Sequence, residues 1–139
     1  MMSAIRGKDT KPELVIRKAL HAAGFRFRLH AKDVPGKPDI VLPRYRAAIF
    51  INGCFWHRHD CHLFRMPSTR TEFWQQKIGS NVRRDIRTRE SLAQTDWRQL
   101  TIWECALKGR TRLDFGALMD TVIDWLRSDE TFLEVGGHT

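Results

Sequence analysis

Apolar residues recur along the first half of the chain at spacings that predict one helix followed by short strands. Thr10, Pro12 and Glu13 have the spacing of a helix N-terminal capping box, and Gly24 ends the apolar helical pattern. Three short runs, alternating or continuously apolar, then predict strands at 25–29, 40–42 and 47–51. The last two strands are close enough in sequence to form a hairpin.

The second half of the chain returns to helical spacing. A helix is predicted from about 71 to 94, with a break at Gly79–Asn81, where Ser or Asn can cap a second helix. Residues 97–103 alternate as a strand, and apolar residues between 118 and 126 form one face of a final helix. No periodic pattern follows Ser128, and we expect this tail to be loosely ordered. The order of elements predicts an α/β fold with a mixed sheet flanked by helices.

The length of the chain, 139 residues, suits a single domain with its own hydrophobic core, over residues 1–139. No apolar run approaches the roughly 20 residues that a membrane-spanning helix requires. The first residues lack the apolar stretch of a signal peptide, and we expect the cysteines to be reduced. We therefore expect a cytoplasmic monomer without a membrane partner.

The charge of the chain favours a polyanionic partner. Lys and Arg total 24 against 16 acidic residues, a formal net charge of +8. The basic residues are spread from Arg6 to Arg127, which favours nucleic acid over an anionic membrane surface. One arginine-rich run could contact phosphates or simply be solvated: Arg83, Arg84, Arg87 and Arg89. Phosphate contacts position a protein without specifying sequence, so these arginines receive no recognition role.

A cluster of cysteines and histidines predicts a zinc site. The chain has three cysteines, Cys54, Cys61 and Cys105. An odd number argues against a self-contained disulfide framework, and zinc takes four Cys or His ligands. The fourth ligand would be a histidine of the same loop, and spacing does not distinguish His57, His59 and His62. The alternative is three unrelated buried thiols.

Asp39 is the acidic residue best placed for chemistry, because it follows Pro38 at the start of a buried strand. Magnesium is held by one or two carboxylates together with substrate phosphates. Nucleases of the PD-(D/E)xK type carry an acid and a lysine on the next strand. This chain has Phe50, Ile51 and Asn52 there, so Asp39 alone is a weak indication of a nuclease.

Four segments together resemble the very short patch repair endonucleases: residues 35–39, 52–61, 69–74 and 103–107. The similarity runs in order from Met2 to Leu126, and the Cys-Phe-Trp-His block at 54–57 is highly specific. The resemblance implies a restriction-endonuclease-like fold with a structural zinc. Members nick DNA on the 5′ side of the thymine in a T:G mismatch left by deamination of 5-methylcytosine.

The resemblance also implies roles for individual residues. It makes the zinc ligands Cys54, His59, Cys61 and Cys105. It makes His57 the base that activates water, and magnesium would be bound by Asp39 and the backbone carbonyl of Ile51. Glu13 would hold metal-bound water, whereas the sequence alone favours its capping role. Asn52 stands where members commonly carry His, so it can hydrogen-bond a water ligand but cannot carry a proton.

Three aromatic residues would wedge into the base stack from the major groove: Phe55, Trp56 and Trp74. Met2 would wedge from the minor groove. A mismatched step is cheaper to unstack, and aromatic faces replace the lost stacking. The ordinary alternative for each is core packing. The chain begins about a dozen residues later than expected for the family, which would remove a basic arm.

Two rival functions remain. A zinc-stapled DNA-binding module without catalysis is favoured by Asn52 and by the missing second acid and lysine. A restriction nuclease would cut both strands of unmodified duplex. For the preferred function, we expect magnesium and zinc as cofactors and T:G-mismatched DNA as substrate. We also expect a nucleoid location and a mismatch-repair protein as recruiting partner.

Overall fold

A computed structural model describes residues 10–138, and Met2 lies outside them. The helices and strands of this range are α1 Lys11–Ala22, β1 Arg28–Leu29, β2 Ile40–Leu42, β3 Ala47–Asn52, α2 Thr71–Gln94, β4 Arg98–Trp103, α3 Phe115–Arg127 and β5 Phe132–Val135. The predicted α/β class is confirmed. Within residues 10–138, no helix is long and apolar enough to cross a membrane.

The five strands form one mixed sheet in the order β1-β2-β3-β4-β5. β1, β2 and β3 are antiparallel, whereas β3, β4 and β5 run parallel to one another. The predicted hairpin between β2 and β3 is confirmed. Its turn, Pro43–Tyr45, closes through Arg46, which has a φ of 50°. Because β3 and β4 are parallel, the loops that follow them leave the same edge of the sheet.

Helices cover both faces of the sheet, and alternate residues of β3 point to opposite faces. On one face Ile49 packs with apolar residues of α1 and α3, including Leu20 and Val122. On the other face Ala48 packs with Leu92 of α2. The sheet is therefore the middle layer, and its carboxyl-terminal edge is left for the loops.

The predicted break in the second helix is wrong, because α2 runs unbroken from Thr71 to Gln94. Asn81 does not cap a new helix. Its side-chain amide donates to the carbonyl oxygen of Trp56 at 3.0 Å, across the loop that follows β3. This long-range contact replaces the local capping that the sequence suggests.

The expectation of a loosely ordered tail is also wrong, because Phe132–Val135 forms β5 and pairs with β4. The Arg98 guanidinium holds the preceding residues by donating to the carbonyl oxygens of Ser128 at 3.0 Å and Glu130 at 2.9 Å. Leu133 and Val135 pack against the main core. A four-residue edge strand is too short to give a clear periodic pattern.

Candidate active site and metal centre

Asp39 lies beside the end of β3. Antiparallel pairing of β2 with β3 places it near Ile51, whose backbone N–H donates to Asp39 Oδ2 at 2.7 Å. Burial raises the pKa of Asp39 to about 7, although the hydrogen bond from Ile51 lowers it, and the nearby Glu13 carboxylate raises it further. The charged form of Asp39 is therefore energetically unfavourable unless a cation compensates for its charge.

Glu13 is buried, with 1% of its surface exposed, which is unusual for a glutamate. Thr10 caps α1 as predicted, since its hydroxyl oxygen accepts from the Glu13 N–H at 3.4 Å. The Glu13 side chain lies in the interior, where its Oε2 is 2.9 Å from His30 Nε2. The Thr10 cap uses only the backbone N–H of Glu13, so it is compatible with a place for the Glu13 side chain in the site.

Glu13, His30 and Asp39 form a group whose ligand atoms all lie within 4.8 Å of one another, close enough to hold a metal ion. Sequence analysis missed His30. β1 and β2 pair Leu29 with Ile40, so the residues flanking that pair also meet, and the His30 N–H donates to the Asp39 carbonyl oxygen at 3.1 Å. Antiparallel pairing of 25–29 with 40–42 was the signal that could have located it.

His57 pairs with a second residue that sequence analysis missed. Its Nδ1 lies 2.6 Å from Oδ2 of Asp85, which is on α2. A carboxylate on one ring nitrogen orients the imidazole and leaves the other nitrogen for proton transfer. The two residues are 28 positions apart on different elements, so no local spacing indicated the pair.

A cleft of about 470 Å³ joins these groups. Its walls include the four predicted catalytic residues, Glu13, Asp39, Asn52 and His57. Asp85 lines it too, together with two basic residues, Lys37 and Arg84. Acidic groups that can bind a cation therefore face the same space as a histidine and two positive charges.

The three cysteines and one histidine meet at the same edge of the sheet, with their ligand atoms within 4.8 Å of one another: Cys54, His59, Cys61 and Cys105. His59 Nδ1 lies 3.5 Å from the sulfur of Cys54 and 3.5 Å from that of Cys105. All three thiols are free. Of the three histidines that spacing left open, His59 is the one that joins the cysteines.

The electrostatics of this cluster suit a metal cation. Burial raises the pKa of the Cys54 and Cys105 thiols and lowers that of His59. Buried sulfurs become thiolates only when a positive charge compensates for them, and a neutral imidazole can act as a ligand. The His59 ring also stacks on Trp103, with centroids 4.1 Å apart, which fixes its orientation. The donor set fits a tetrahedral zinc site.

The segment between the first two metal-site residues is a tight loop. The His59 N–H donates to the Cys54 carbonyl oxygen at 2.9 Å, and Arg58 adopts a φ of 54°. Phe55, Trp56 and His57 lie within this closure. The Cys/His cluster therefore bounds a loop that carries two aromatic rings and His57, and of these Trp56 and His57 line the cleft.

The three predicted wedge residues form a surface cluster. The ring centroids of Phe55, Trp56 and Trp74 lie 5.2 to 5.8 Å apart, and all three rings are half-buried. None of them belongs to the hydrophobic core clusters of residues 10–138. Trp56 also lines the cleft. The aromatic cluster therefore adjoins the candidate active site.

Comparison with known proteins identifies related enzymes. Residues 1–63 match a family model described as DNA mismatch endonuclease Vsr. The chain is 46% identical over 125 residues to the DNA mismatch endonuclease Vsr of Escherichia coli K12, covering 90% of this chain and 80% of that protein. It is 45% identical over 118 residues to the type II nicking enzyme V.XorIIP of Xanthomonas oryzae, covering 85% and 83%. The type II nicking enzyme V.NmeAIP of Neisseria meningitidis is 43% identical over 110 residues, 79% of each chain.

Proposed function

Because this chain belongs to the Vsr family of DNA mismatch endonucleases, we propose that it nicks one strand on the 5′ side of the thymine in a T:G mismatch. Such mismatches arise when 5-methylcytosine is deaminated. The observation that carries the proposal is one cleft lined by Asp39, Glu13 and the His57–Asp85 pair, beside half-buried aromatic rings. The acidic groups, the proton acceptor and the candidate wedge thus share one surface.

Magnesium would be held by Asp39 and the backbone carbonyl of Ile51, with Glu13 holding a metal-bound water. When bound, the ion neutralises charge on the phosphate and stabilises the oxygens that attack and leave. Asn52 lines the same cleft and can hydrogen-bond a water ligand. Lys37 and Arg84 lie where they can contact phosphates next to the scissile one.

His57 would act as the general base. Its Nδ1 is occupied by Asp85, so Nε2 is the nitrogen that accepts a proton from the attacking water. Asp85 would hold the ring in place and stabilise the imidazolium that forms. The oxygen of that water then attacks the phosphorus atom, and the phosphorus–oxygen bond to the leaving end of the strand breaks.

Mismatch recognition would come from Phe55, Trp56 and Trp74, which would stack on bases beside the mismatch. Zinc bound by Cys54, His59, Cys61 and Cys105 would hold the loop that carries the first two of these rings. One chain carries the complete set of cleft residues, so we propose that a monomer acts on nucleoid DNA. Recruitment by a mismatch-repair protein is part of the same proposal.

The proposal is tested by nicking of 5′-labelled duplexes with magnesium, using matched and T:G substrates labelled on either strand. We expect one cut, in the thymine strand of the mismatched duplex. Asp39→Ala should abolish cutting and retain DNA affinity, since removing a negative charge near phosphates reduces repulsion. Mismatch-specific binding without any cut would favour the non-catalytic binding module, and cuts in both strands of matched DNA would favour a restriction nuclease.

A further inference from the structure

The C-terminal strand leads the chain directly onto the Cys/His cluster. β4 and β5 are parallel and pair Ile102 with Val135, so both chains leave the same edge of the sheet. β4 continues through Trp103 and Glu104 to Cys105, and β5 continues into Gly136 and Gly137. Residues 136–138, called the tail below, therefore meet the Cys/His cluster because of strand register, although Gly137 and Cys105 are 32 residues apart.

Hydrogen bonds hold the tail against this cluster. The Gly137 N–H donates to the Cys105 sulfur at 3.3 Å. The His138 N–H donates to the Thr111 carbonyl oxygen at 2.7 Å, and the Thr111 hydroxyl donates to the Cys105 carbonyl oxygen at 3.1 Å. Cys105 is thus bonded on its sulfur by the tail and on its carbonyl by the segment that the tail also contacts.

The approach of the tail is so close that it requires glycine. A Cβ atom on Gly137 would meet the Cys105 carbonyl oxygen and would lie 2.5 Å from the Thr111 carbonyl oxygen. A Cβ on Gly136 would lie 3.4 Å from Cε1 of His59. Two backbone atoms cannot move aside as a flexible side chain can, so a side chain at 137 would displace the tail.

We propose that residues 136–138 are an integral part of the metal centre, where the Gly137 N–H positions the Cys105 sulfur and the tail slows loss of the metal. This inference rests on the proposed zinc site. Backbone N–H donors to ligand sulfurs orient the ligand and offset its negative charge, and such outer contacts commonly change metal affinity by 10- to 100-fold. The tail also covers His59 and the Cys105 sulfur on the side of Gly136.

The test measures zinc release from the full-length protein to a chromogenic chelator. Gly137→Ala and a truncation after Val135 should each release zinc at least about tenfold faster than the wild type. Gly79→Ala, in the middle of α2, is the matched glycine control and should release zinc at the wild-type rate. Circular dichroism checks folding, and the truncation keeps β5, so it tests the tail even if Gly137→Ala folds poorly.

Cobalt substitution supplies a second readout that general destabilisation would not change. Loss of an N–H donor to a thiolate should shift the thiolate-to-cobalt charge-transfer band in the truncated protein and leave it unchanged in Gly79→Ala. The inference would be contradicted if both tail variants release zinc at the wild-type rate and show the wild-type cobalt band. Wild-type protein that binds no zinc would instead contradict the underlying zinc proposal, so the two failures are distinguishable.

Discussion

At the Asp39 side chain, two features oppose ionisation: the carboxyl group is largely withdrawn from water, and the Glu13 carboxylate lies nearby. The hydrogen bond from the Ile51 N–H favours the charged form, yet the pKa remains at about 7. Below that pH a metal ion must displace a proton in order to bind. Metal affinity should therefore rise with pH until Asp39 is fully ionised.

The same shift predicts a pH-dependent stability of the metal-free protein. Asp39 has a pKa of 3.8 in the unfolded chain and about 7 in the folded one. The contribution of Asp39 to the free energy of unfolding is therefore fully present below pH ~4 and is lost as the pH rises to ~7. Asp39→Asn has no such loss, so its advantage over wild type should grow across this window, to at most about 4 kcal/mol.

Urea unfolding with a chelator present, at intervals from pH 4 to pH 8, measures that difference. Asp120→Asn, which removes an exposed carboxylate from α3, controls for the change in net charge. Parallel stability curves for wild type and Asp39→Asn would mean that folding does not oppose the ionisation of Asp39.

The His57–Asp85 pair makes a separate prediction about catalysis. His57→Ala should retain binding to mismatched DNA and lose the chemical step. Asp85→Ala should lower the rate constant of the chemical step by up to about 10²–10⁴, because the ring is no longer oriented. Single-turnover nicking with saturating enzyme measures this rate constant, and a gel-shift assay measures binding. A wild-type rate constant in Asp85→Ala would exclude an orienting role for this carboxylate.

Sequence patterns indicated Asp39 through the residues next to it, and indicated the cysteine cluster because Cys105 is the one cysteine outside the 54–61 segment. They did not locate His30 or Asp85. His30 reaches the site through the pairing of β1 with β2, and Asp85 reaches it from the middle of α2. Contacts between separate elements depend on strand register and helix position, which local periodicity does not specify.

At the scale of elements, the loop after β3 carries three residues of the Cys/His cluster and contacts α2 through Asn81. If Trp56 stacks on bases beside the mismatch, Trp56→Ala should weaken binding to T:G duplex by about 1–3 kcal/mol. Binding to matched duplex should change much less, and the salt dependence should stay the same. Phe132→Ala, which removes an exposed ring from β5, is the control. Equal loss on both duplexes would make Trp56 a structural residue.

Helix α2 presents arginines both inside and outside the cleft, which permits a matched test of phosphate contact. Arg84 lines the cleft, whereas Arg87 is exposed on the same helix and does not line it. Arg84→Gln should reduce the slope of log affinity against log salt by about 0.9, the effect of one lost phosphate contact on duplex DNA. Fluorescence anisotropy at several salt concentrations measures this slope, and Arg87→Gln should leave it closer to the wild-type value. A larger change of the slope in Arg87→Gln than in Arg84→Gln would place the phosphate contacts outside the cleft.

The elements themselves were predictable where one face is continuously buried. β2 and β3 were located almost to the residue, since apolar runs bounded by turns are a strong signal. The first strand was predicted too long, because only Arg28 and Leu29 pair with β2. The break in α2 and the loose tail were wrong for one shared reason. Asn81 and Arg98 make long-range hydrogen bonds that outweigh the local preference of the chain.

Across the whole molecule, one edge of the sheet carries both candidate metal sites. The main hydrophobic core lies between the sheet and helices α1 and α3, and a separate small cluster containing Cys54, Trp103 and Cys105 lies at the edge. Metal loss should therefore disturb the edge first and leave much of the sheet in place. The loops that follow β3 and β4, together with the tail, would then lose the Cys/His cluster that holds them together.

This arrangement predicts that zinc stabilises the folded protein by linkage. At a free zinc concentration 1,000 times Kd, binding to the native state alone adds about 4 kcal/mol. Cys61→Ala removes one of four ligands, so its Tm should be lower and should no longer respond to added zinc or chelator. Elemental analysis together with thermal unfolding, with and without chelator, measures both effects. Full zinc occupancy in Cys61→Ala, or a Cys61–Cys105 disulfide in the native protein, would show that these sulfurs stabilise the edge in another way.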